Sequence, residues 1–133
     1  MRNFLTVALM LMLLVGCQKV TAPMKKFVVK FEVTLTSPVK TSSAIITRTG
    51  LANPVMYSDF TTGQSWSKTT EFETRNRPID IFLNAQNIRL TSQGSATCKI
   101  FVNGEEKATS TAQTTTVGSE IEVSTIPVTY SIR

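Results

Sequence analysis

Glutamates spaced two residues apart are the groups in this sequence that could carry out acid–base chemistry. Glu71 and Glu73 form one such pair, and Glu120 and Glu122 form another. On a β-strand the members of each pair would lie about 7 Å apart on one face. A glycosidase needs two carboxyl groups about 5 to 9.5 Å apart on either side of a cleft. The spacing therefore permits a hydrolase, which is one alternative for the function.

The absence of histidine argues against that alternative. The chain has no His, so it lacks the usual general base and the commonest metal ligand. Ser-His-Asp and Cys-His nucleophile arrangements and Cys-His zinc sites are excluded with it. Both glutamate pairs also fall on strand faces predicted to be solvent-exposed. We therefore predict that the protein is not an enzyme and has no catalytic residues, no metal and no cofactor.

The elements that position these side chains are predicted to be β-strands throughout. Apolar residues alternate with polar ones and no stretch after Cys17 has a sustained helical period. The predicted strands are 26–36, 42–49, 55–60, 65–74, 79–85, 96–102, 105–111 and 120–132. Residues 86–95 and the Thr-rich stretch 112–118 are predicted loops. The fold class is all-β, a single antiparallel β-sandwich of about seven or eight strands, immunoglobulin-like in its architecture.

Several local features refine this prediction. Asn103-Gly104 predicts a type I′ hairpin turn, because both positions favour positive φ. Trp66 shares its phase with Phe72 and is predicted to be core, with carbohydrate stacking as the alternative. The apolar phase of the last strand changes near Ser124-Thr125, which predicts a β-bulge there.

The segment before Cys17 has the parts of a secretory signal: Arg2, an apolar run over Phe4–Val15, and small residues at a cleavage site. As a helix the run is about 18 Å long, too short for a hydrocarbon layer of about 30 Å. Leu14-Val15-Gly16-Cys17 resembles the lipobox of bacterial lipoproteins. The resemblance implies that Cys17 is lipidated with acyl chains such as palmitate. An ordinary secretory signal or uncleaved anchor is the alternative.

This interpretation divides the chain into a signal peptide (1–16), a lipidated N-terminus and tether (17–25), and a sandwich domain (26–133). In the Gram-negative lipoproteins that this segment resembles, Asp directly after the lipidated cysteine favours retention in the inner membrane. Here that residue is Gln18. The expected location is therefore the cell envelope, in the outer membrane if the organism is Gram-negative. With Cys17 acylated, Cys98 has no disulfide partner, and we predict a buried thiol. A reactive or intermolecular thiol is the alternative.

Charge and outward-facing residues suggest where the domain makes contacts. Without Arg2, thirteen basic and nine acidic side chains give a net charge of +4, with none of the clustering expected of a nucleic-acid-binding protein. Lys19, Lys25 and Lys26 are candidates for contact with anionic lipid head groups, solubility being the alternative. Phe82 and Phe101 have the outward phase of their strands. Together they predict an apolar patch for a protein partner, or a contact with a second sheet.

Three segments resemble the small mycobacterial-membrane-protein accessory family: Trp66-Ser67-Lys68, Ile81–Ala85 and Thr97–Gly104. That resemblance covers about 40 residues and implies a membrane-tethered β-sandwich beside a lipid-exporting transporter. The chain departs from the family in two ways. The family pairs the hairpin cysteine with one near the C-terminus, which is missing here, and its anchor is a transmembrane helix rather than a lipid.

The predicted function is that of a membrane-anchored envelope lipoprotein, acting as a non-enzymatic binding or accessory module for a protein complex or a lipid. A surface-exclusion or immunity lipoprotein of a mobile element is a second alternative beside the hydrolase. The sequence indicates no oligomeric state.

Overall fold

A computed structural model describes residues 22–41, 43–60, 65–75 and 77–133. The predictions made for the signal peptide, the lipobox, Cys17 and Lys19 lie outside these residues. Nine β-strands occur in the described part: β1 (Lys25–Leu35), β2 (Ser43–Thr49), β3 (Val55–Phe60), β4 (Ser65–Thr74), β5 (Ile79–Leu90), β6 (Ser95–Val102), β7 (Glu105–Gln113), β8 (Thr115–Val117) and β9 (Glu120–Ile132).

The strands form two antiparallel sheets that enclose one core. Sheet A has the order β4-β1-β6-β7 and sheet B the order β3-β2-β5-β9-β8. Alternate residues of β1 are buried, from Phe27 to Leu35, and they pack with inward-facing residues of sheet B such as Ile81 and Leu83. Period-two alternation in a strand with one buried face produces this arrangement. The predicted all-β sandwich is confirmed.

The predicted loop at 86–95 is wrong in its first half, because β5 continues to Leu90. The buried residues before Asn87, such as Leu83 and Ala85, are at odd-numbered positions, whereas Ile88 and Leu90 are buried at even-numbered positions. Asn87 lies at the break with a φ of 54°. An asparagine tolerates this left-handed conformation, which lets the strand change phase and go on pairing.

The phase change predicted in β9 is confirmed, but the bulge is not. Val123 and Ile126 are both buried, on opposite parities. The register with β5 is nevertheless the same on either side, with Gln86 opposite Thr125 and Ile88 opposite Val123. Both strands change phase at the same level, so β9 needs no extra residue relative to its partner.

The predicted Thr-rich loop at 112–118 is also largely wrong. β7 extends to Gln113 at the edge of sheet A, and β8 begins at Thr115 at the edge of sheet B. Thr114 lies where the chain passes between the sheets. Its N–H donates to the Gly94 carbonyl at 2.9 Å, and its hydroxyl accepts from the Gly94 N–H at 3.0 Å. β-Branched threonines favour strands, and here that preference is realised.

The hairpin at Asn103-Gly104 is confirmed, with φ angles of 52° and 85°. Asn103 also fixes the turn to β1, because its Oδ1 accepts from the Val28 N–H at 3.0 Å. Trp66 faces the core as predicted but is only half-buried, since β4 is an edge strand. Its ring lies 5.2 Å from that of Tyr57 across the open side of the sandwich.

Candidate functional site

Each sheet turns one face away from the core, and these two outer faces differ in chemistry. Outer face A belongs to sheet A and carries three ion pairs along β1, β4, β6 and β7. They are Lys26–Glu71 at 2.6 Å, Lys30–Glu32 at 2.7 Å and Lys99–Glu106 at 2.8 Å. The hydrogen bond that Lys26 donates to Glu71 raises the pKa of Lys26, and the one that Lys99 donates to Glu106 raises the pKa of Lys99. A face of paired charges such as this one is readily hydrated.

Outer face B belongs to sheet B and is apolar at its centre. Ile46 lies opposite Met56 on one side and Asn84 on the other, and Asn84 lies opposite Pro127. Phe82 follows on the same face of β5. Met56 is 68% exposed. Arg48 lies directly opposite Phe82 on this face, and the charged residues Asp80, Arg89 and Glu122 lie towards its two ends.

Asn84 is the unusual residue of outer face B. It is only 8% exposed, and its Oδ1 is the one buried side-chain polar atom without a hydrogen-bond partner in the described part of the chain. Its cross-strand neighbours explain why: Pro127 has no N–H, and Ile46 has no side-chain donor. An unsatisfied buried acceptor costs about 1–3 kcal/mol. Because this oxygen is enclosed, a donor from outside the domain would remove that cost only if the Asn84 side chain turned towards the surface.

The structure does not bring Phe82 and Phe101 together. Phe82 lies on β5 in outer face B, whereas Phe101 lies on β6 in outer face A. The predicted joint patch is therefore wrong, and so is the contact with a second sheet, because both rings point away from the core. The Lys30 ammonium lies 5.4 Å from the centre of the Phe101 ring, so Phe101 is part of the charged face.

Basic residues gather at the end of the sandwich where β1 begins, which we call the basic end. Lys25 pairs there with Thr74, and Ile79 pairs with Ile132. Six basic side chains occupy this end: Lys25, Lys26, Arg48, Arg75, Arg77 and Arg133. Four acidic side chains accompany them: Glu71, Glu73, Asp80 and, beside the β6–β7 turn, Glu105. The structure thus places Lys25 and Lys26, predicted from the sequence, among four arginines that were not singled out.

A cleft of about 480 Å³ opens at the basic end between β4 and the β2–β3 loop. Its lining combines the apolar Leu51, Phe72 and Ile79 with Arg48 and Asp80. A smaller pocket of about 70 Å³ adjoins it and reaches Tyr57 and Lys68. The cleft follows the open side of the sandwich, where the edge strands β3 and β4 are not hydrogen-bonded to each other.

The glutamate pairs do not form a site together. Glu71 and Glu73 are exposed on β4, and Glu71 is paired with Lys26. Glu120 belongs to sheet B and pairs with Lys40 at 3.1 Å. The two pairs thus lie on different sheets. No cluster of three His, Cys, Asp or Glu side chains suited to a metal ion occurs in the described ranges.

Cys98 lies in the core between the sheets, fully buried and not in a disulfide. Burial raises the pKa of its thiol to about 12, although a hydrogen bond with the Ala85 backbone lowers it slightly. The predicted buried thiol is confirmed. A thiol with so high a pKa is a poor nucleophile at neutral pH.

Comparisons with protein-family models, with curated proteins and with solved structures find no match to this chain. Within residues 22–41, 43–60, 65–75 and 77–133, no helix has the length and apolar character needed to cross a membrane. The resemblances to lipoproteins and to the mycobacterial accessory family therefore stay predictions.

Proposed function

We propose that the protein is an envelope lipoprotein whose β-sandwich is a non-enzymatic binding module, with outer face B as its surface for a protein partner. The contrast between the two outer faces carries the proposal. Water satisfies a face of paired charges, but it gains nothing from Met56 and Phe82 and leaves the Asn84 acceptor without a partner.

The chemistry of outer face B defines the partner that would fit. Phe82 and Met56 offer aromatic and thioether surface of the kind that is enriched at protein interfaces. If the Asn84 side chain turned outward on binding, its Oδ1 would accept a hydrogen bond from a backbone N–H or a hydroxyl group of the partner. Arg48 lies directly opposite Phe82 and would attract an acidic group of the partner, whereas the other charged residues of this face, Asp80, Arg89 and Glu122, lie towards its ends.

The membrane anchor is supported by the sequence and by the geometry of the domain. The lipobox ends at Cys17, and the described domain begins at Ala22 beside the basic end. The seven residues from Gln18 to Met24 span at most about 25 Å when extended. A partner of outer face B would therefore be a protein held in or near the same membrane, which agrees with the resemblance to transporter accessory domains.

Photo-crosslinking in cells tests the partner surface. A benzophenone amino acid replaces Phe82 or Met56 in outer face B, and Phe101 in outer face A serves as the matched control. We expect one reproducible protein crosslinked from both positions of outer face B and not from Phe101. Equal labelling from both faces, or no partner from either, would contradict the proposal.

Replacing Cys17 with serine tests the anchor separately. Lipidation predicts that Cys17→Ser abolishes incorporation of labelled acyl chains and leaves the protein unprocessed or released from the membrane. Cys98→Ser is the control, because the buried thiol is not the acceptor and labelling should persist. A Cys17→Ser protein that labels and fractionates like the parent would disprove the anchor.

A further inference from the structure

We infer that the basic end is a docking face for an anionic lipid surface, with Leu51 as the side chain that enters the bilayer. The inference extends the proposed function, because it rests on the domain being held in the envelope. It assigns to the end of the sandwich a role different from that of outer face B.

The distribution of charge favours an anionic surface. Six basic and four acidic side chains lie at the basic end. At the far end, the charged residues with described side chains are Lys40 and Arg89 against Glu120 and Glu122, and Lys40 is paired with Glu120. The basic end therefore carries a positive excess that the far end lacks. A basic patch attracts the negative surface of a membrane within about one Debye length.

The β2–β3 loop adds an apolar contact at the same end. Leu51 has a relative exposure of 105%, so its side chain has essentially no protein neighbours. The loop is nevertheless held in place: Gly50 has a φ of 61°, and its N–H donates to the Asp80 carbonyl at 2.7 Å. A leucine presented on a fixed loop beside arginines is a favourable arrangement for insertion below the head groups.

The path of the chain identifies the surface. Ala22 to Met24 lie at the basic end, and Met24 is 51% exposed beside Lys25. The segment that carries Cys17 therefore joins the domain here, through a tether of about 25 Å at most. A bilayer that holds the acyl chains is within reach of this end. Docking would set the strands upright on the membrane and leave outer face B accessible from the side.

A fluorescence experiment with the purified full-length product tests the docking face. Leu51→Cys is labelled with an environment-sensitive fluorophore, and Ser119→Cys, in the turn between β8 and β9 at the far end, is the matched control. Native Cys98 is buried and does not compete for label. The protein is bound to vesicles of phosphatidylcholine alone, or of phosphatidylcholine with about 30 mol % phosphatidylglycerol.

Docking predicts a blue shift and a rise in intensity for the label at position 51 on the anionic vesicles, and no change at position 119. Replacing two basic residues, Lys25→Gln with Arg75→Gln, should weaken the anionic-lipid response by about 30-fold. The matched control, Lys40→Gln with Arg89→Gln, removes the same charge from the far end and should leave the response unchanged. Salt of about 1 M should abolish the response.

The outcomes separate this inference from the proposed anchor. Protein that floats with both kinds of vesicle while the label at position 51 does not respond to anionic lipid overturns docking and leaves the anchor standing. Equal responses at positions 51 and 119 also overturn it. Protein that fails to float with neutral vesicles overturns the anchor. The same labelled protein with Cys17→Ser, which leaves position 51 as the accessible thiol, then decides docking on its own through its response to anionic vesicles added in solution.

Discussion

The two outer faces are built on the same plan and end up chemically opposite. Both belong to antiparallel sheets whose inward residues fill one core. On outer face A, Lys30 is paired with Glu32 and Lys99 with Glu106. The aromatic ring of this face, Phe101, lies under the Lys30 ammonium group. On outer face B, Phe82 and Met56 surround an asparagine whose acceptor is unused.

This difference shows which features the fold requires and which it does not. A sandwich needs apolar residues on the inward faces only, and outer face A demonstrates that this chain can make the other face polar. The apolar centre of outer face B and the cost of Asn84 are thus not demanded by folding. A requirement outside the domain would account for them, and the partner proposed above is such a requirement.

The largest expected effect separates the core side of β5 from its outer side. Leu83 is fully buried, so Leu83→Ala should lower the free energy of unfolding by about 2–5 kcal/mol. Its neighbour Phe82 points outward, and Phe82→Ala should cost about 1 kcal/mol or less while reducing crosslinking from position 56. Urea denaturation measures both. If Phe82→Ala were as destabilising as Leu83→Ala, the ring would be retained for stability and the comparison would fail.

A second prediction concerns the core that joins the two faces. Burial raises the Cys98 pKa to about 12 from an ordinary value of 9.0. The folded protein therefore keeps this proton where the unfolded chain has lost it. Stability should be unaffected below pH 9 and should fall as the pH rises from 9 towards 12, by roughly 1.4 kcal/mol per pH unit.

Cys98→Ala is the control for this prediction, because lysines and tyrosines also titrate at alkaline pH. The variant is expected to be less stable at neutral pH through the lost methyl-sized volume, but its stability should fall less steeply above pH 9. Chemical denaturation across the pH series measures the two slopes. Identical slopes would mean that the thiol is ionised without opening the sandwich.

Asn84 gives a smaller effect with a specific sign. Asn84→Val removes the unpartnered acceptor and suits a central strand, so the isolated protein should gain about 1 kcal/mol. Gln86→Val, two residues along the same face, controls for the gain in strand propensity alone. The Asn84 variant should also crosslink its partner less from position 82. If Asn84→Val were less stable than Gln86→Val, Asn84 would not be destabilising in the free domain.

The sequence predicts the strands well where only local pattern matters. The alternation in β1 identifies its buried residues, and Asn103-Gly104 identifies the hairpin. Prediction from the sequence fails where pairing with another strand determines the structure. Residues 86–90 look irregular because the phase changes at Asn87, and 112–117 look like a loop because the consecutive threonines 114–116 give no alternation of apolar and polar residues. Residues 86–90 form a strand by pairing with β9, and residues 112–117 do so by pairing with β6 and with the start of β9.

For the same reason, the sequence predicts only part of the candidate surfaces. The outward phase of Phe82 and Phe101 is a local property, and both do point outward. That they belong to different sheets depends on strand order, which single-strand patterns do not contain. Asn84 could not be recognised as unpartnered, because its environment is made by Ile46 and Pro127 from two other strands. The gathering of four arginines at the basic end likewise requires the topology.

The smallest expected effect is on outer face A and completes the comparison. Lys99→Gln and Glu106→Gln, made singly and together, remove an ion pair exposed to water. Screening and side-chain entropy offset the attraction in such pairs, so the urea midpoint should stay within error and crosslinking from position 82 should be unchanged. A double-mutant cycle at low and high salt measures any coupling. A large, salt-resistant coupling would mean that outer face A is a specific network rather than a solvated surface, and the two faces would then no longer differ in kind.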